Sequence, residues 1–89
     1  MSVDVERDAL RQELFAMVSR STGGALESGE SFGVATEFPD TGMTSISYLE
    51  LIDGLETKYG VVVDLESDGL RLTSIDKVVD FLLEQGVAA

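Results

Sequence analysis

A strongly periodic segment in the middle of the chain, from about Ser45 to Tyr59, limits the folds available to the rest. Its apolar residues recur at i, i+3, i+4, i+7 and i+11, the spacing of one helical face. They are Tyr48, Leu51, Ile52, Leu55 and Tyr59, with Ile46 and Leu49 widening the stripe. The opposite side carries Ser47, Glu50, Asp53, Gly54 and Thr57, with Glu56 near its edge. We predict an amphipathic helix with one buried side.

Gly54 stands in the interior of this predicted helix. A glycine there costs about 1 kcal/mol relative to alanine. Its presence therefore predicts that a neighbouring element approaches the helix closely at this point.

Two other segments have helical spacing. The first helix is predicted from Asp4 to about Arg20, with a buried face of Leu10, Leu14, Met17 and Val18 that Val5 or Phe15 extends. The last helix is predicted to begin at Thr73, where Thr73-x-x-Asp76 matches a capping box, and to end at Gly86. Its predicted buried face consists of Ile75, Val78, Val79, Leu82 and Leu83.

The remaining segments lack a sustained period. Residues 20–43 are rich in glycine and contain the only proline. They predict a loop longer than the roughly 12 to 15 residues usual in compact domains, with a helical turn possible in 24–31. Five apolar residues are expected to pin this loop to the core, namely Ala25, Leu26, Phe32, Val34 and Phe38. Residues 61–63 have no partner strand, so we predict an extended link into a short helix or turn around Asp64 to Arg71.

The predicted fold class is all-α. We expect a small antiparallel helical bundle of three main helices and one short helix, with the long loop between the first two helices. The chain has 89 residues. Since a chain of this size buries only about 60% of its unfolded surface, residues 1–89 are predicted to form a single domain.

Composition narrows the possible functions. The chain has no cysteine and no histidine, which removes disulfides, thiolate metal sites and the commonest general base. Six basic residues against 17 acidic ones leave a net charge of −11, which disfavours nucleic acid and anionic lipid and suits basic protein surfaces. No apolar run is long enough to span a bilayer, and no signal segment is evident. We therefore expect a cytoplasmic monomer without a metal and without catalytic residues of its own.

A turn that contains Gly42 places Ser45 at the start of the central helix. Serine at such a position commonly only caps the helix, and Thr44 could cap it equally well. The unpaired N–H groups and positive dipole end of a helix also favour a bound phosphodiester. The residues alone leave these alternatives open.

The chain resembles the acyl carrier proteins, whose core pattern is D-x-G-x-D-S-L followed by V-E-L, L-E and F-G. The residues that carry the resemblance are Asp40-x-Gly42-Met43-Thr44-Ser45-Ile46, then Leu49-Glu50-Leu51, Leu55-Glu56 and Tyr59-Gly60. The helix from Thr73 to Phe81 is also similar to the last helix of the family. The resemblance covers about residues 5–85.

This resemblance implies a phosphopantetheine arm attached to Ser45 by a phosphopantetheinyl transferase, with acyl groups carried as thioesters on the thiol of the arm. It also implies docking onto basic patches of acyl-activating, acyltransferase or ketosynthase-type enzymes. The residues implied in partner binding are Thr44, Ile46, Glu50, Asp53 and Glu56, of which Glu50 and Glu56 are expected to be exposed.

The chain departs from the family pattern at several positions. Thr44, Ser47 and Thr57 replace acids that are frequent in the family, and Asp53 stands where an apolar residue is usual. These differences point to dedicated partners, and the absence of Gly-Gly before the serine favours polyketide or related specialised metabolism. Two alternatives are an aminoacyl or peptidyl carrier of a nonribosomal pathway and an unmodified acidic protein-interaction module.

Three other features have a competing interpretation. Ser74, in a second Thr-Ser-Ile, is a rival attachment site that lacks the Gly-Met turn. Residues 64–69 resemble the first half of a calcium loop, but Ile75 stands where a bidentate Glu is needed, so an acidic turn is favoured. Met43 either lines the route of an acyl chain or packs on the central helix.

Overall fold

The computed structural model describes residues 3–27, 29, 32–69 and 71–87. Four α-helices are present in these ranges, namely α1 (Val3–Ser21), α2 (Ser45–Tyr59), α3 (Leu65–Asp68) and α4 (Ile75–Glu84), with a 3-10 helix at Phe38–Thr41. The described β-structure is limited to one isolated bridge between Gly29 and Phe32. The molecule is small, compact and mostly helical, which is consistent with the predicted all-α class.

Helix α2 begins and ends where its sequence pattern predicts. Thr44 is the N-cap, and its side chain accepts a hydrogen bond from the N–H of Ser47. At the other end Gly60 has φ of 68° and donates its N–H to the Glu56 carbonyl. Glycine enters this left-handed conformation without the penalty of a Cβ atom. Both ends of α2 are therefore set by local side-chain and backbone chemistry.

Helix α4 begins later than predicted, because its cap is Ser74 and not Thr73. The Ser74 hydroxyl accepts from the Lys77 N–H at 3.2 Å. The Thr73 hydroxyl instead donates to the Glu37 carboxylate at 2.9 Å. The expected capping box at Thr73 is wrong, since a residue of the long loop takes up that hydroxyl. Gly86, with φ of 82°, follows the end of the helix as expected.

The core lies where α1 packs against α2 and α4. The buried helical residues are Leu10, Leu14, Met17 and Val18 of α1, Leu51, Ile52 and Leu55 of α2, and Ile75, Val78, Val79, Phe81 and Leu82 of α4. The predicted faces of all three helices are largely confirmed. Each of these side chains contributes about 1.5–3 kcal/mol when it is removed fully from water.

Two residues predicted to widen the buried stripe of α2 are exposed instead. Ile46 is 72% exposed and Leu49 is 50% exposed. Nine positions separate Ile46 from the buried Leu55, which is about two and a half turns at 3.6 residues per turn. Ile46 therefore lies on the side of α2 opposite the core, and the expectation for these two residues is wrong.

The long loop is joined to the core by a row of aromatic rings. Phe15 of α1 meets Phe32 edge to face with 5.5 Å between ring centroids. Phe32 lies 6.2 Å from Phe38, and Phe38 lies 6.2 Å from Tyr48 of α2. Because Phe32 and Phe38 are buried, the predicted role of these two residues as loop anchors is confirmed. Ala25 is exposed and does not share that role.

The helical turn considered for residues 24–31 is absent from their described part, 24–27 and 29, while 28, 30 and 31 lie outside the described residues. The helical segment of the loop is the 3-10 helix at Phe38–Thr41 instead. Pro39 occupies the first turn of that helix, where its fixed φ is compatible with helical geometry and its missing N–H is not needed.

Gly54 faces α1, as its position in the sequence predicts. A Cβ atom built on Gly54 would lie 2.9 Å from Cε of Met17. Real Cβ atoms essentially never approach another heavy atom so closely, so a side chain at this position would require the flexible end of Met17 to move.

Residues 61–64 after α2 form neither a helix nor a strand, and Asp64 has extended backbone angles. The short helix α3 follows, which confirms the predicted link and short helix in outline for residues 61–69. Val61 is buried, whereas Val62 is 81% exposed. The Val63 N–H donates to a carboxylate oxygen of Glu56 at 3.1 Å. This hydrogen bond joins the link to α2.

Ion pairs connect separate elements. Arg7 pairs with Asp80, Arg11 with Asp76, Lys58 with Glu13, Lys77 with Glu37, and Arg71 with Glu84. Exposed pairs of this kind contribute about 0–1 kcal/mol each. These pairs engage five of the six basic residues, all except Arg20. Among the described residues, Glu50 and Asp53 on α2 have no ion-pair partner. The outer face of α2 is correspondingly negative.

Among the described residues, no helix combines the length and the apolarity that crossing a bilayer requires.

We expect Tyr59 to make stability pH-dependent in alkali. Burial, and then the nearby Glu13 charge, raises the pKa of Tyr59 to about 12. An unfolded tyrosine has a pKa of about 10, so the unfolded chain loses its proton first and the folded state is destabilised as pH rises from about 10 to about 12. Because the residue is only partly buried, we expect a loss of about 1 kcal/mol.

Urea unfolding at pH 9 and pH 11 measures this effect. The Tyr59→Phe variant should lose less stability between the two pH values than the wild type. Tyr48, whose pKa burial also raises, is present in both proteins and cancels in the comparison. Equal pH dependence of the two proteins would contradict the assignment to Tyr59.

Candidate functional site

Ser45 is the first residue of α2 and is exposed. The sequence left open whether Ser45 or Thr44 caps the helix, and the structure assigns the cap to Thr44. The Thr44 hydroxyl accepts from the Ser47 N–H at 3.1 Å and donates to the Ser47 hydroxyl at 3.1 Å. Within the described residues, the Ser45 hydroxyl forms no hydrogen bond. It is therefore available for covalent modification without loss of a helix cap.

The turn before Ser45 is held by its own hydrogen bonds. Gly42 has φ of 79°, which a residue with a Cβ atom adopts only with strain. The Thr41 hydroxyl donates to the Phe38 carbonyl at 2.6 Å and accepts from the Met43 N–H at 3.2 Å. These contacts fix the path of the chain from the 3-10 helix to the start of α2.

The N-terminus of α2 is electrostatically suited to an anionic group. The first turn contains no acidic residue. The open N–H groups and aligned peptide dipoles at a helix start favour phosphate oxygens by about 0.3–1 kcal/mol at an exposed position. A phosphodiester on the Ser45 hydroxyl would lie in this favourable field.

Ser45 also lies at a cleft of about 370 Å³. The other residues that line the cleft are Phe38, Pro39, Met43, Tyr48, Leu49, Gly69 and Thr73. This volume is at the lower end of the range of about 300–1,000 Å³ for small-molecule sites. Met43 both lines the cleft and packs against the core, so its two predicted roles are compatible.

Most of the cleft residues could not be found from local sequence. Phe38 and Pro39 come from the long loop, while Gly69 and Thr73 belong to the short segment between α3 and α4. No periodicity relates these positions. The exposed position of Leu49 could have been recognised from the sequence. Leu49 lies six residues before the buried Leu55, which is more than one and a half turns on a helix of 3.6 residues per turn, so the two side chains point in different directions.

The residues predicted to bind partners do not share one environment. Thr44, Ile46, Glu50 and Asp53 are exposed along α2. Glu56 is only partly exposed, and its carboxylate accepts the Val63 N–H. The expectation that Glu56 is an exposed acid is wrong, because the chain after α2 folds back over it.

Ser74, the rival attachment site, is in a different situation from Ser45. It is 2% exposed and its hydroxyl caps α4. A transferase could not reach this hydroxyl in the folded protein, and its modification would remove the cap.

The acidic segment 64–69 forms a helical turn in place of an open loop. The Asp64 carboxylate accepts from the Glu66 N–H at 3.0 Å, and the Asp68 carboxylate accepts from the Asp64 N–H at 3.2 Å. Both carboxylates thus accept backbone N–H groups in this turn. In the described part of the chain, no group of three or more His, Cys, Asp or Glu side chains is arranged to hold a metal ion.

Comparison with models of known protein families, with curated proteins and with solved structures gave no match.

We expect reversal of the charge at Glu56 to destabilise the domain more than reversal of the charge at Glu50. Glu56→Lys removes the acceptor of the Val63 N–H and should cost about 1–2 kcal/mol. Glu50→Lys changes an exposed side chain without an ion pair in the described residues and should stay within about 0.5 kcal/mol of the wild type. Urea unfolding of both variants checks this difference. Equal stability of the two variants would show that the Glu56 contact contributes nothing.

Proposed function

We propose that this chain is a freestanding acyl carrier protein. It would hold acyl intermediates as thioesters on a phosphopantetheine arm attached to Ser45 and present them to partner enzymes of polyketide or other specialised-metabolite biosynthesis. The observation that carries the proposal is the exposed Ser45 hydroxyl, which has no hydrogen bond in the described residues, at the start of α2 and beside the apolar cleft.

The site fits the arm chemically. The Ser45 hydroxyl is accessible to a phosphopantetheinyl transferase, and the helix N-terminus favours the resulting phosphodiester. The arm supplies a terminal thiol for thioester formation, which this chain lacks because it has no cysteine. The protein would then need no catalytic residues of its own. Its contribution would be to position the arm and to be recognised by enzymes.

The arrangement of helices supports this proposal. The contacts of α1 with α2 and with α4 suit an antiparallel bundle of three main helices with α3 as the short fourth helix. In such a bundle, a partner enzyme that approaches Ser45 from solvent would also contact the exposed residues of α2.

Partner enzymes would meet the outer face of α2. Ile46 offers an exposed apolar contact, and Glu50 and Asp53 offer charges without an ion-pair partner in the described residues. Basic patches of transferases, acyl-activating enzymes, acyltransferases or ketosynthase-type enzymes would complement these charges, chiefly by increasing the association rate. Thr44 would contact such an enzyme beside the attachment point. Glu56 would contribute less, since its carboxylate is used within the protein.

The proposal is tested by incubating the folded protein with coenzyme A and a promiscuous phosphopantetheinyl transferase. Intact-mass spectrometry should show the addition of one phosphopantetheine group. No addition under conditions that modify a known carrier would refute the proposal.

Glu50 and Asp53, which have no ion-pair partner in the described part of the chain, also suit an unmodified acidic interaction module. That alternative predicts binding to a basic protein with no mass gain on treatment with the transferase. An aminoacyl or peptidyl carrier would gain the same mass as an acyl carrier, so these two are separated by the cargo that loading enzymes transfer to the arm.

A further inference from the structure

The residues that line the cleft beside Ser45 differ in exposure, and this difference shows which end of the cleft faces solvent. Ser45 and Pro39 are exposed, and Leu49 is 50% exposed. Tyr48 is half-buried, and Phe38 is only 2% exposed. The three exposed residues therefore form the mouth of the cleft, and the two aromatic rings form its floor.

The floor is closed by contacts between three segments of the chain. The rings of Phe38 and Tyr48 lie 6.2 Å apart between centroids. The Tyr48 hydroxyl donates to the carbonyl of the fully buried Leu72 at 2.8 Å. The Phe38 N–H donates to the Thr73 carbonyl at 2.6 Å. Tyr48 thus reaches from α2 to the segment before α4 and separates the cleft from the core behind it.

The loop side of the floor is held by further contacts. The Glu37 carboxylate, next to Phe38 in the chain, accepts from the Thr73 hydroxyl at 2.9 Å and from the Lys77 ammonium at 3.0 Å. Phe32 packs on Phe38 with 6.2 Å between ring centroids. Because Phe38 cannot withdraw without loss of these contacts, packing fixes the depth of the cleft.

The volume of the cleft limits the length of a chain that can fill it. At about 30 Å³ for each heavy atom, the share of a water molecule in the liquid, the 370 Å³ of the cleft holds about twelve heavy atoms. Since a thioester group contributes one sulfur and one oxygen, about ten carbons of an acyl chain can fit.

We propose that the cleft accepts acyl chains of up to about ten carbons and that the ring of Tyr48 sets this limit. The occupant is the acyl chain on the arm of Ser45, so the inference rests on the proposed function and names the substrate class of that site. Each methylene that enters the cleft leaves water and tightens binding about fourfold. A methylene beyond the floor stays in water or forces the packed rings apart, so it adds no affinity.

The test uses probes that need no attached arm. N-acetylcysteamine thioesters of butyrate, hexanoate, octanoate, decanoate, dodecanoate and tetradecanoate are titrated into the unmodified protein, at concentrations below those at which the probes form micelles. Binding is followed by chemical-shift changes of backbone amides around the cleft. The affinity should rise about fourfold for each methylene up to octanoate or decanoate and should then level off.

Three variants assign this limit to its residue. Tyr48→Ala removes the ring, so the affinity should still rise from decanoate to dodecanoate. Tyr48→Phe keeps the ring and should level off at the same length as the wild type. Leu49→Ala removes apolar surface at the mouth and should weaken binding of all probes by a similar factor, with the same limit. If Tyr48→Ala does not fold, Tyr48→Leu shortens the side chain at the same position and provides the measurement.

An affinity that rises without a break up to tetradecanoate would overturn the proposal, and so would the absence of binding by any probe. A limit that stays in place when the ring is removed, or moves when only the hydroxyl is removed, would show that the ring of Tyr48 does not set it. These outcomes are independent of the transferase experiment. A chain that gains the phosphopantetheine mass but shows no break is a carrier without this limit. A chain that shows the break but gains no mass has the cleft without the arm.

Discussion

Ser45→Ala is expected to abolish the addition of phosphopantetheine and to leave the stability of the domain unchanged. The hydroxyl is exposed and has no hydrogen bond in the described residues, because Thr44 caps α2. Its removal therefore breaks no hydrogen bond among the described residues, and surface changes of this kind stay within about 0.5 kcal/mol. Intact-mass spectrometry after transferase treatment and urea unfolding measure the two properties in one protein.

Ser74→Ala is the matched control, and we expect it to lose stability but to keep the modification. The Ser74 hydroxyl is buried and caps α4, so its loss should destabilise the domain by about 0.5–2 kcal/mol. The variant should still gain one phosphopantetheine mass at a temperature where it is folded. Modification that persists in Ser45→Ala, or is lost in folded Ser74→Ala, would place the attachment site elsewhere than Ser45.

Phe32→Ala is expected to have the largest effect on stability among the changes considered. Phe32 is 1% exposed and stands between Phe15 and Phe38 in the row of aromatic rings. Truncating a buried phenylalanine to alanine costs about 3–5 kcal/mol, a large share of the roughly 5–15 kcal/mol that stabilises a small domain. The long loop would lose a main anchor, and Phe38 would lose a neighbour beside the cleft.

Urea unfolding followed by circular dichroism measures this loss. The midpoint should fall by about 3 M for a slope near 1 kcal/mol/M, or the variant should be largely unfolded without urea. Val62→Ala removes an apolar side chain that is 81% exposed and should leave the midpoint almost unchanged. A shift for Phe32→Ala as small as that for Val62→Ala would show that the loop does not share the core.

Some features of the fold follow from residues that are close together in the chain. The bounds of α2 depend on the polar Thr44 before it, the glycine after it and the apolar spacing between them. Gly54 likewise predicts a close neighbour through its missing Cβ atom alone, and Met17 is that neighbour. Such predictions succeed because capping and periodicity act within one or two helical turns.

Other features failed to follow from local pattern, and each failure has a tertiary cause. Thr73 matches a capping box but bonds to Glu37, which leaves the cap to Ser74. Glu56 is an acid on an amphipathic helix, yet the chain returns over it and Val63 binds its carboxylate. In both cases a residue supplied by another segment outcompetes the role that the local sequence suggests.

The sequence by itself therefore determined the helical segments, the position of Ser45 at the head of α2 and the acidity of the chain. Only the tertiary structure decided that Thr44 caps α2 while Ser74 is buried, and that residues from the long loop and from the segment before α4 form a cleft beside Ser45. Lys77 and Glu37 are 40 positions apart in the chain. A contact of that kind depends on how the helices pack, and no periodicity within one helix encodes it.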